Sequence, residues 1–461
     1  MIRLSDTIAA VATGMNQGGI GVIRISGEQA IPIADSIFSP KKEGKEVRNL
    51  ESYTAAYGNI INERKEIMDE VIVLVMKAPS TYTKEDVVEI DCHGGVYVMK
   101  QILDVLLEKG ARLAQPGEFT KRAFLNGRID LSQAESVMDL IAAKSDLAAK
   151  TALFQLRGGL REKIEALRRE LLHNLALIES ALDDPEHYSL EGFDETLDDV
   201  LKDVEQEIHH LIATAEDGRM MREGIKTVIL GKPNAGKSSV LNVLMGKERA
   251  IVTEIEGTTR DTLEEYISIQ GIPLNIVDTA GIRNTDDVVE RIGIDKSFEA
   301  MGQADLILYI VDASVPLDKN DLQIMRAIRD KQVIILQNKS DLESVVTREE
   351  LFSHMDKPLI DISAKERTGF EEFYKLLKDM FFHGSLSYND EVYITNMRHK
   401  EALMEALSSV EMVRQSIADG MPEDFYSIDL MAAYERLGYI IGEAVEDDLV
   451  DTIFREFCMG K

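Results

Sequence analysis

The sequence predicts a multidomain α/β plus α protein, in which a phosphate-binding domain is inserted into a helical domain. Short apolar runs typical of strands, followed by a helical pattern, predict a small α+β domain over residues 1–118. Apolar residues at helical spacing predict the two parts of a helical domain, over residues 119–219 and 383–461. A glycine-bounded phosphate-binding loop lies between those parts, and it places the inserted domain at residues 220–382.

The composition restricts the possible partners and compartment. The formal net charge of -30 argues against a broad basic face for nucleic acid, so we expect no DNA partner and only a local or partner-assisted RNA contact. The 2 cysteines, Cys92 and Cys458, are far apart, which argues against a structural disulfide. No run is apolar enough to span a bilayer, and the N-terminus lacks a signal-peptide core. We therefore expect a cytoplasmic protein without a membrane partner.

Local patterns give the first expectations of secondary structure. Within the α+β domain, a turn leads into a strand near Ile20, and further strands are expected at 71–76 and 87–92. A helix is expected at 99–107. Long amphipathic helices follow as far as residue 217 and again at 398–417 and 428–457, which favours a helical bundle; a coiled-coil dimer is the alternative. The acidic run 183–186 is interpreted as a solvated linker, with a metal site as the alternative.

The phosphate-binding loop has the spacing GxxxxGKS and covers residues 231–238. It follows an apolar strand-like run at 227–230 and leads into a helical pattern at 239–245. Backbone N–H groups in such a loop, together with the start of the following helix, form an anion site. Lys237 is expected to reach the β- and γ-phosphates, and the Ser238 hydroxyl to bind Mg²⁺. A plain glycine-rich turn before a helix is the alternative interpretation.

Four further motifs follow in the order that nucleotide-binding domains use. A Thr in the GTTRD stretch, Thr259, can complete the Mg²⁺ shell, and Asp278 can support Mg²⁺ through water. A carboxylate at Asp341 can accept from the N1 and N2 hydrogens of guanine, which adenine cannot match. We predict a GTPase with Lys237 and Asp278 among its catalytic residues. The predicted GTP-binding residues are Asn234, Ala235, Gly236, Lys237, Ser238, Ser239, Thr253, Glu254, Ile255, Glu256, Gly257, Thr258, Thr259, Asp278, Thr279, Ala280, Gly281, Asn338, Lys339, Asp341, Ser363, Ala364 and Lys365.

Several stretches outside these motifs resemble one family closely. The chain contains GGIGVIRISG, EDVVEIDCHGG, PGEFTKRAFLNG and TNMRH, and a terminal Cys-x-Gly-Lys. In this combination it resembles the MnmE (TrmE) tRNA-modification GTPases over nearly its whole length. The resemblance implies a folate-binding-like N-terminal domain that dimerises, a helical domain, and a Ras-like G domain inserted into it.

The resemblance also implies an activity and partners. Such proteins form homodimers and work with the flavoprotein MnmG (GidA) in a heterotetrameric or larger complex. Together they install an aminomethyl or carboxymethylaminomethyl group on C5 of the wobble uridine (position 34) of certain tRNAs. The one-carbon unit comes from 5-formyl- or methylene-tetrahydrofolate, and FAD and NADH work in the partner.

Carried over residue by residue, the resemblance implies a folate site and a possible modification residue. Arg24, Glu89, Arg128 and Lys461 match the folate-contacting positions. Arg128 stands where many relatives have Lys, which keeps the charge but changes the hydrogen-bonding geometry. Cys458 could attack the uridine ring as a thiolate, and a packing role is the alternative because nothing nearby in sequence would lower its pKa.

The hydrolytic mechanism implied by the resemblance depends on K⁺. Ile282 follows Gly281 where Ras-type enzymes place a water-orienting Gln, so this side chain cannot orient the water. The resemblance supplies Glu290 for that role, with a surface helix carboxylate as the alternative. The K⁺ ligands it implies are Asn234, Thr253, Ile255 and Thr258. Formation of this site is expected to accompany dimerisation of two G domains. The competing hypothesis is an arginine finger from Arg260, Arg283 or Arg291.

Two other classes of function compete with tRNA modification. One is a regulatory or ribosome-assembly GTPase resembling Era or EngA, which share Asn234 and the GTTRD loop. Those proteins carry an RNA-binding domain after the G domain or a second G domain, and neither is evident here. The other is a dimeric scaffold that uses GTP as a switch, which an absence of folate binding would favour.

Overall fold

A computed structural model describes residues 6–184, 186–187, 190–247, 265–277, 301–302, 304–381, 392–443, 447–455, 457 and 460. The chain divides into two compact units. The first contains Met1–Met138, Arg161–Arg169 and Tyr434–Lys461, and the second contains Asp139–Leu160 and Glu170–Ala433.

The first unit contains a seven-stranded sheet in the order β3-β4-β5-β6-β2-β1-β7. Neighbouring strands are antiparallel, except β1 and β7, which are parallel. The strands are β1 (Ile8–Val11), β2 (Ile20–Ser26), β3 (Phe38–Pro40), β4 (Thr54–Ile61), β5 (Ile67–Met76), β6 (Val87–His93) and β7 (Arg112–Leu113). The predicted strands at 71–76 and 87–92 are confirmed, because they lie within β5 and β6.

One face of this sheet is covered by two helices, α1 (Ala30–Ile37) and α2 (Val96–Glu108). Alternation explains which face is buried, since Val71, Val73 and Val75 of β5 are buried and the residues between them are more exposed. The helix predicted at 99–107 is confirmed within α2.

Helices precede the phosphate-binding loop from residue 118 and return near the end of the chain, as the spacing predicts. Before the phosphate-binding loop they are α3 (Glu118–Leu125), α4 (Leu131–Ala142), α5 (Asp146–Leu156), α6 (Gly159–Asp183), α7 (Phe193–Ala213) and α8 (Ala215–Glu223). Near the end of the chain they are α13 (Met397–Ala418), α14 (Asp424–Ile441) and α15 (Asp447–Arg455). Helix α7 packs along α13 through apolar residues spaced three and four apart, such as Leu201 and Val204 of α7.

The helical spacing expected over 428–457 corresponds to two helices. Helix α14 ends at Ile441, and α15 begins at Asp447. Gly442 has φ +89°, and an added Cβ there would lie 2.7 Å from a ring carbon of Phe124. Because only glycine tolerates both the left-handed backbone and this close approach, the chain turns here while apolar residues continue on either side.

The second unit contains a six-stranded sheet in the order β13-β12-β11-β8-β10-β9. Only β9 and β10 pair antiparallel; the other neighbours are parallel. The strands are β8 (Ile225–Leu230), β9 (Glu265–Ile269), β10 (Ile272–Ile276), β11 (Leu306–Asp312), β12 (Val333–Asn338) and β13 (Leu359–Asp361). Residues 225–381, which contain this sheet, are called the phosphate-binding domain below. Its described helices are α9 (Lys237–Lys247), α10 (Lys319–Ile328), α11 (Arg348–His354) and α12 (Phe370–Phe381).

Every residue of β11 and β12 is buried, as expected for central parallel strands covered on both faces. The carboxyl ends of parallel strands meet at one edge of a sheet, which is where ligands bind in folds of this kind. Here that edge carries the phosphate-binding loop after β8, Asp312 at the end of β11 and Asn338 at the end of β12.

The chain enters and leaves this domain at neighbouring places. Ile394 N donates to Thr214 Oγ1 at 3.1 Å, where Thr214 directly precedes α8. Arg222 Nη1 donates to the main-chain oxygen of Thr395 at 3.4 Å. The segments before β8 and after residue 391 are therefore hydrogen-bonded to each other.

Candidate nucleotide-binding site

The phosphate-binding loop adopts the strand–loop–helix arrangement that its sequence predicts. Strand β8 ends at Leu230, and α9 begins at Lys237. Asn234 has φ +63° and Gly236 φ +97°. An added Cβ at Gly236 would lie 2.1 Å from Nδ2 of Asn338. Both the positive φ and the neighbouring Asn338 amide therefore require glycine at this position, the second glycine of the motif.

Lys237 is held against the loop by its own main-chain carbonyls. Its Nζ donates to the oxygens of Gly231 and Lys232, at 2.7 and 2.8 Å. Burial lowers the pKa of Lys237, because the charged form loses hydration. A partly desolvated cation at the loop is complementary to a phosphate anion. Ser238 and Ser239 lie in the first turn of α9 and are exposed.

Asn338 connects the loop to the opposite side of the site. Its side chain is 2% exposed. Its Nδ2 donates to the main-chain oxygen of Ala235 at 2.9 Å, and its Oδ1 accepts from Ala364 N at 3.1 Å. One amide side chain thus fixes the distance between the phosphate-binding loop and residues 363–365, which the sequence predicts to lie behind guanine.

Asp341 is oriented by a serine from the same group of residues. Ser363 Oγ donates to Asp341 Oδ1 at 2.6 Å, and Ser363 is itself paired with Thr368 through two main-chain hydrogen bonds. The hydrogen bond from Ser363 lowers the pKa of Asp341, so the carboxylate is ionised at neutral pH. An ionised carboxylate accepts only, and two neighbouring N–H groups on a guanine edge are donors that match it.

Lys339 is fixed by Asp312 at the end of β11. Its Nζ lies 2.5 Å from Asp312 Oδ2, and its backbone has φ +66°. Burial raises the pKa of Asp312, but hydrogen bonds from Lys339 and Ser314 outweigh that effect and leave the pKa below its usual value. Asp312 is therefore ionised at neutral pH. Lys365, the last predicted residue on this side, is exposed, with Nζ 3.9 Å from Asp341 Oδ2.

Three of the predicted folate residues lie together in the first unit. Arg24 on β2 and Glu89 on β6 are directly opposite in the sheet, and Arg24 Nε donates to Glu89 Oε1 at 2.8 Å. The Arg24 guanidinium lies 5.9 Å from the centre of the Tyr82 ring, and the Arg128 guanidinium lies 4.7 Å from it. Arg24 Nη1 also donates to the main-chain oxygen of Gly460 at 3.4 Å. Two cations and an aromatic ring therefore share one region of the unit.

A buried ionic network supports the segment that carries Tyr82. Arg122 is 1% exposed, and its Nη1 lies 3.1 Å from both carboxylate oxygens of Glu85. Its Nη2 donates to Glu118 Oε1 at 3.1 Å, and Arg112 donates to the same carboxylate. Because every charge in this network has a hydrogen-bonded opposite charge, the network fixes residues 82–85 against α3.

The remaining predicted residues lie outside the described ranges. They are Thr253, Glu254, Ile255, Glu256, Gly257, Thr258, Thr259, Asp278, Thr279, Ala280, Gly281, Glu290, Cys458 and Lys461, together with the alternative finger residues Arg260, Arg283 and Arg291.

Comparison with known proteins matches the chain over nearly its whole length. The family model for the MnmE helical domain matches residues 131–458, and that for the GTP-binding protein TrmE N-terminus matches residues 7–128. The tRNA modification GTPase MnmE of Lachnoclostridium phytofermentans is 54% identical over 457 residues, covering 99% of this chain and 100% of that protein. The chain belongs to the MnmE family.

Other MnmE relatives and one solved structure complete the comparison. The MnmE of Clostridioides difficile is 48% identical, covering 99% of this chain and 100% of that protein, and the MnmE of Staphylococcus epidermidis is 45% identical, covering 99% of both. The G domain of the T. maritima FeoB iron transporter is 25% identical, covers 32% of this chain and 93% of that chain, and has a TM-score of 0.25, at which the likeness supports no conclusion.

Membership of the MnmE family confirms the resemblance that the sequence motifs indicate. It also confirms the prediction that the protein is an enzyme, a GTP hydrolase. None of the helices in the described ranges has the length and apolar character that crossing a bilayer requires.

Sequence reasoning missed three functional candidates of this MnmE chain. Tyr82 is one, and an aromatic residue inside a polar loop was the available signal. Lys232 and Asp321 are the others, and their ion pair joins positions too far apart in sequence to be paired without the fold.

Proposed function

We propose that this chain binds and hydrolyses GTP in the course of tRNA modification. The observation that carries the proposal is the arrangement of Asp341, Asn338 and the phosphate-binding loop, which offers a carboxylate to guanine and an anion site to phosphates within one connected set of hydrogen bonds. The domain boundaries at 118, 219 and 382 and a cytoplasmic location are part of the same proposal.

The metal ions that we propose, Mg²⁺ and K⁺, are those that suit the oxygen ligands of this site. The Ser238 hydroxyl at the start of α9, together with Thr259, suits Mg²⁺, which prefers oxygen ligands. Asn234 is exposed in the phosphate-binding loop and offers an amide oxygen for K⁺, with Thr253, Ile255 and Thr258 as the other ligands. A cation at that position would stabilise the charge that develops between the β- and γ-phosphates. Glu290 would orient the attacking water, and Lys237 and Asp278 complete the catalytic set.

K⁺ dependence is tested by GTP turnover in KCl and in NaCl at equal ionic strength. We expect turnover to be at least about tenfold faster in KCl, because a fixed cation replaces a missing charge at the transition state. Asn234→Ala should lose this activation, and Glu290→Ala should be slow in both salts. Activity per molecule should rise with protein concentration if two G domains must meet.

Asn242→Ala is the matched control, because Asn242 is also an exposed asparagine near the loop but lies on α9. It should keep the full response to K⁺. Equal rates in both salts would rule out the K⁺ mechanism and would favour an arginine finger from Arg260, Arg283 or Arg291.

Homodimerisation is supported by apolar side chains that β4 and β5 leave exposed in the first unit. Tyr57 and Ile72 lie directly opposite each other on β4 and β5 and are 53% and 46% exposed. Their neighbours in the same row are Asp91 and Val22. Large apolar side chains that are exposed side by side on a sheet are typical of an interface.

A one-carbon folate is the proposed cofactor of the first unit. The cations Arg24 and Arg128 suit the glutamate carboxylates of 5-formyl- or methylene-tetrahydrofolate, and Glu89 suits the N–H edge of the pterin, with Lys461 as a further cation. The proposed product is the aminomethyl or carboxymethylaminomethyl group on C5 of the wobble uridine of tRNA. MnmG, with its FAD and NADH, is the proposed partner in a heterotetrameric or larger complex, and Cys458 is a proposed participant.

The folate assignment is tested by binding of 5-formyltetrahydrofolate to the full chain, measured by isothermal titration calorimetry. We expect Arg24→Met to weaken binding by at least about tenfold, because one charge-assisted hydrogen bond is lost. Arg48→Met is the control, because Arg48 also pairs with a carboxylate, Asp35, in the same unit. Unchanged affinity in Arg24→Met would refute the assignment and favour the scaffold function.

A further inference from the structure

The side chain of Lys232 makes contacts that the GTPase motifs do not require. Lys232 is the second residue of the phosphate-binding loop, and its Nζ lies 2.6 Å from Asp321 Oδ2 and 3.0 Å from Asp318 Oδ2. Both carboxylates belong to the start of α10, in a different part of the domain. Interactions with Asp321 and Asp318 raise the pKa of Lys232 against the opposing effect of burial, so the ammonium is charged.

Asp321 is a rigid partner for this lysine. It is 1% exposed, and its Oδ1 accepts from the hydroxyl of Tyr309, a residue that is itself fully buried in β11. Its Oδ2 also accepts from Asp318 N at 3.0 Å, and the Asp318 side chain accepts in return from Asp321 N, which forms a capping box at the start of α10. A carboxylate with donors on both oxygens has little freedom to move.

The main chain of Lys232 is part of the phosphate site. Its carbonyl oxygen accepts from Lys237 Nζ at 2.8 Å and from Ala235 N at 3.2 Å. The side chain of Lys232 is thus paired with the buried carboxylate of Asp321 at the start of α10, and its main-chain carbonyl accepts from the ammonium that is expected to bind the phosphates. Displacement of this carbonyl would remove one of the two main-chain oxygens that hold Lys237 Nζ.

We propose that Lys232 is a positioning residue of the GTPase site, which acts through its ion pair with Asp321 to hold Lys237 in place for the β- and γ-phosphates. The proposal rests on the proposed GTP binding of this site. The proposal distinguishes nucleotides by their number of phosphates. Lys237 is expected to contact the β- and γ-phosphates, whereas other residues contact the base and the α-phosphate. If Lys237 is no longer held in position, the affinities for GTP and GDP should therefore fall, and the affinity for GMP should not change.

The experiment compares affinities for GTP, GDP and GMP, measured by competition with a fluorescent GDP, in the full chain. We expect Lys232→Met to lower the affinities for GTP and GDP by about tenfold and to change the affinity for GMP by less than about twofold. Lys232→Arg, which keeps a cation within reach of Asp321, should restore the affinities. Asp321→Asn keeps an oxygen that accepts from Tyr309 but removes the charge that pairs with Lys232. It should show the same changes in affinity as Lys232→Met, and it tests the proposal even if Lys232→Met does not fold.

Lys357→Met is the matched control. Lys357 is also a half-buried lysine of this domain, and its Nζ donates to the main-chain oxygen of Lys331, at the amino ends of the parallel strands, away from the phosphate-binding loop. It should change none of the three affinities. Equal losses for GDP and GMP, or no loss for GDP in either Lys232→Met or Asp321→Asn, would overturn the proposal. Failure of the wild type to bind guanine nucleotides would instead refute the proposed function.

Discussion

Gly236→Ala is expected to weaken guanine nucleotide binding by at least about 100-fold. The new Cβ would lie 2.1 Å from Nδ2 of Asn338 at a backbone φ of +97°. The left-handed backbone costs an ordinary residue about 1–2 kcal/mol. Displacing the buried amide also breaks its hydrogen bonds to Ala235 and Ala364, at about 1–3 kcal/mol. The free loop relieves this cost of about 3 kcal/mol by leaving its binding conformation, and nucleotide binding must restore that conformation, which corresponds to about 100-fold in affinity. A fluorescent GDP titration measures this loss.

Gly246→Ala separates this effect from a general response to an added methyl group. Gly246 lies in α9, ten residues after Gly236, and an added Cβ there would meet no atom within 4 Å. This variant should bind GDP normally and gain up to about 1 kcal/mol of helix stability. Normal binding by Gly236→Ala would mean that Asn338 can move freely, contrary to its place between two loops.

Asp341→Asn is expected to change which base the site accepts. The carboxylate is the acceptor for two guanine N–H groups, and their loss should cost about 4 kcal/mol, or about 1,000-fold in GTP affinity. The asparagine amide can donate to xanthine, which has a carbonyl where guanine has its amino group. Ser363 Oγ can still donate to the remaining side-chain oxygen and keep the residue oriented. Competition between GTP and XTP, measured as hydrolysis and as affinity, provides the test.

Asp330→Asn is the control for this exchange, because Asp330 is an exposed aspartate of the same domain. It should leave the preference for GTP over XTP unchanged. If Asp341→Asn kept the wild-type preference, Asp341 would not contact the base, and the assignment of the site to guanine would lose its main support.

The sequence was informative wherever function depends on neighbouring residues. The loop 231–238, its flanking strand and its helix follow from local spacing, because the conformation is set by glycines and by the start of α9. Burial of β11 and β12 likewise follows from their continuous apolar character. The break at Gly442 was missed because apolar residues keep a helical period on both sides, and only the contact with Phe124 shows why the chain must turn.

Pairings across long sequence separations required the structure. Arg24 and Glu89 were each selected by resemblance, but their ion pair depends on the register of β2 against β6, which a sequence pattern does not determine. The same is true of the hydrogen bond from Asn338 to Ala235, and of the ion pairs of Lys232 with Asp318 and Asp321. In each case the decisive partner lies more than 60 positions away, so local propensity carries no information about it.

The adjacent entry and exit of the inserted domain also bear on how the chain assembles. The hydrogen bond between Ile394 and Thr214 joins residues that are 180 positions apart, and closing a flexible loop of that length has a substantial entropic cost. If the inserted domain folds first, its two ends are already near each other, and the effective loop shortens to roughly twenty residues. By the logarithmic dependence on loop length, closure then costs about 2 kcal/mol less. An insertion of this size can therefore interrupt a helical domain without greatly slowing the meeting of its two parts.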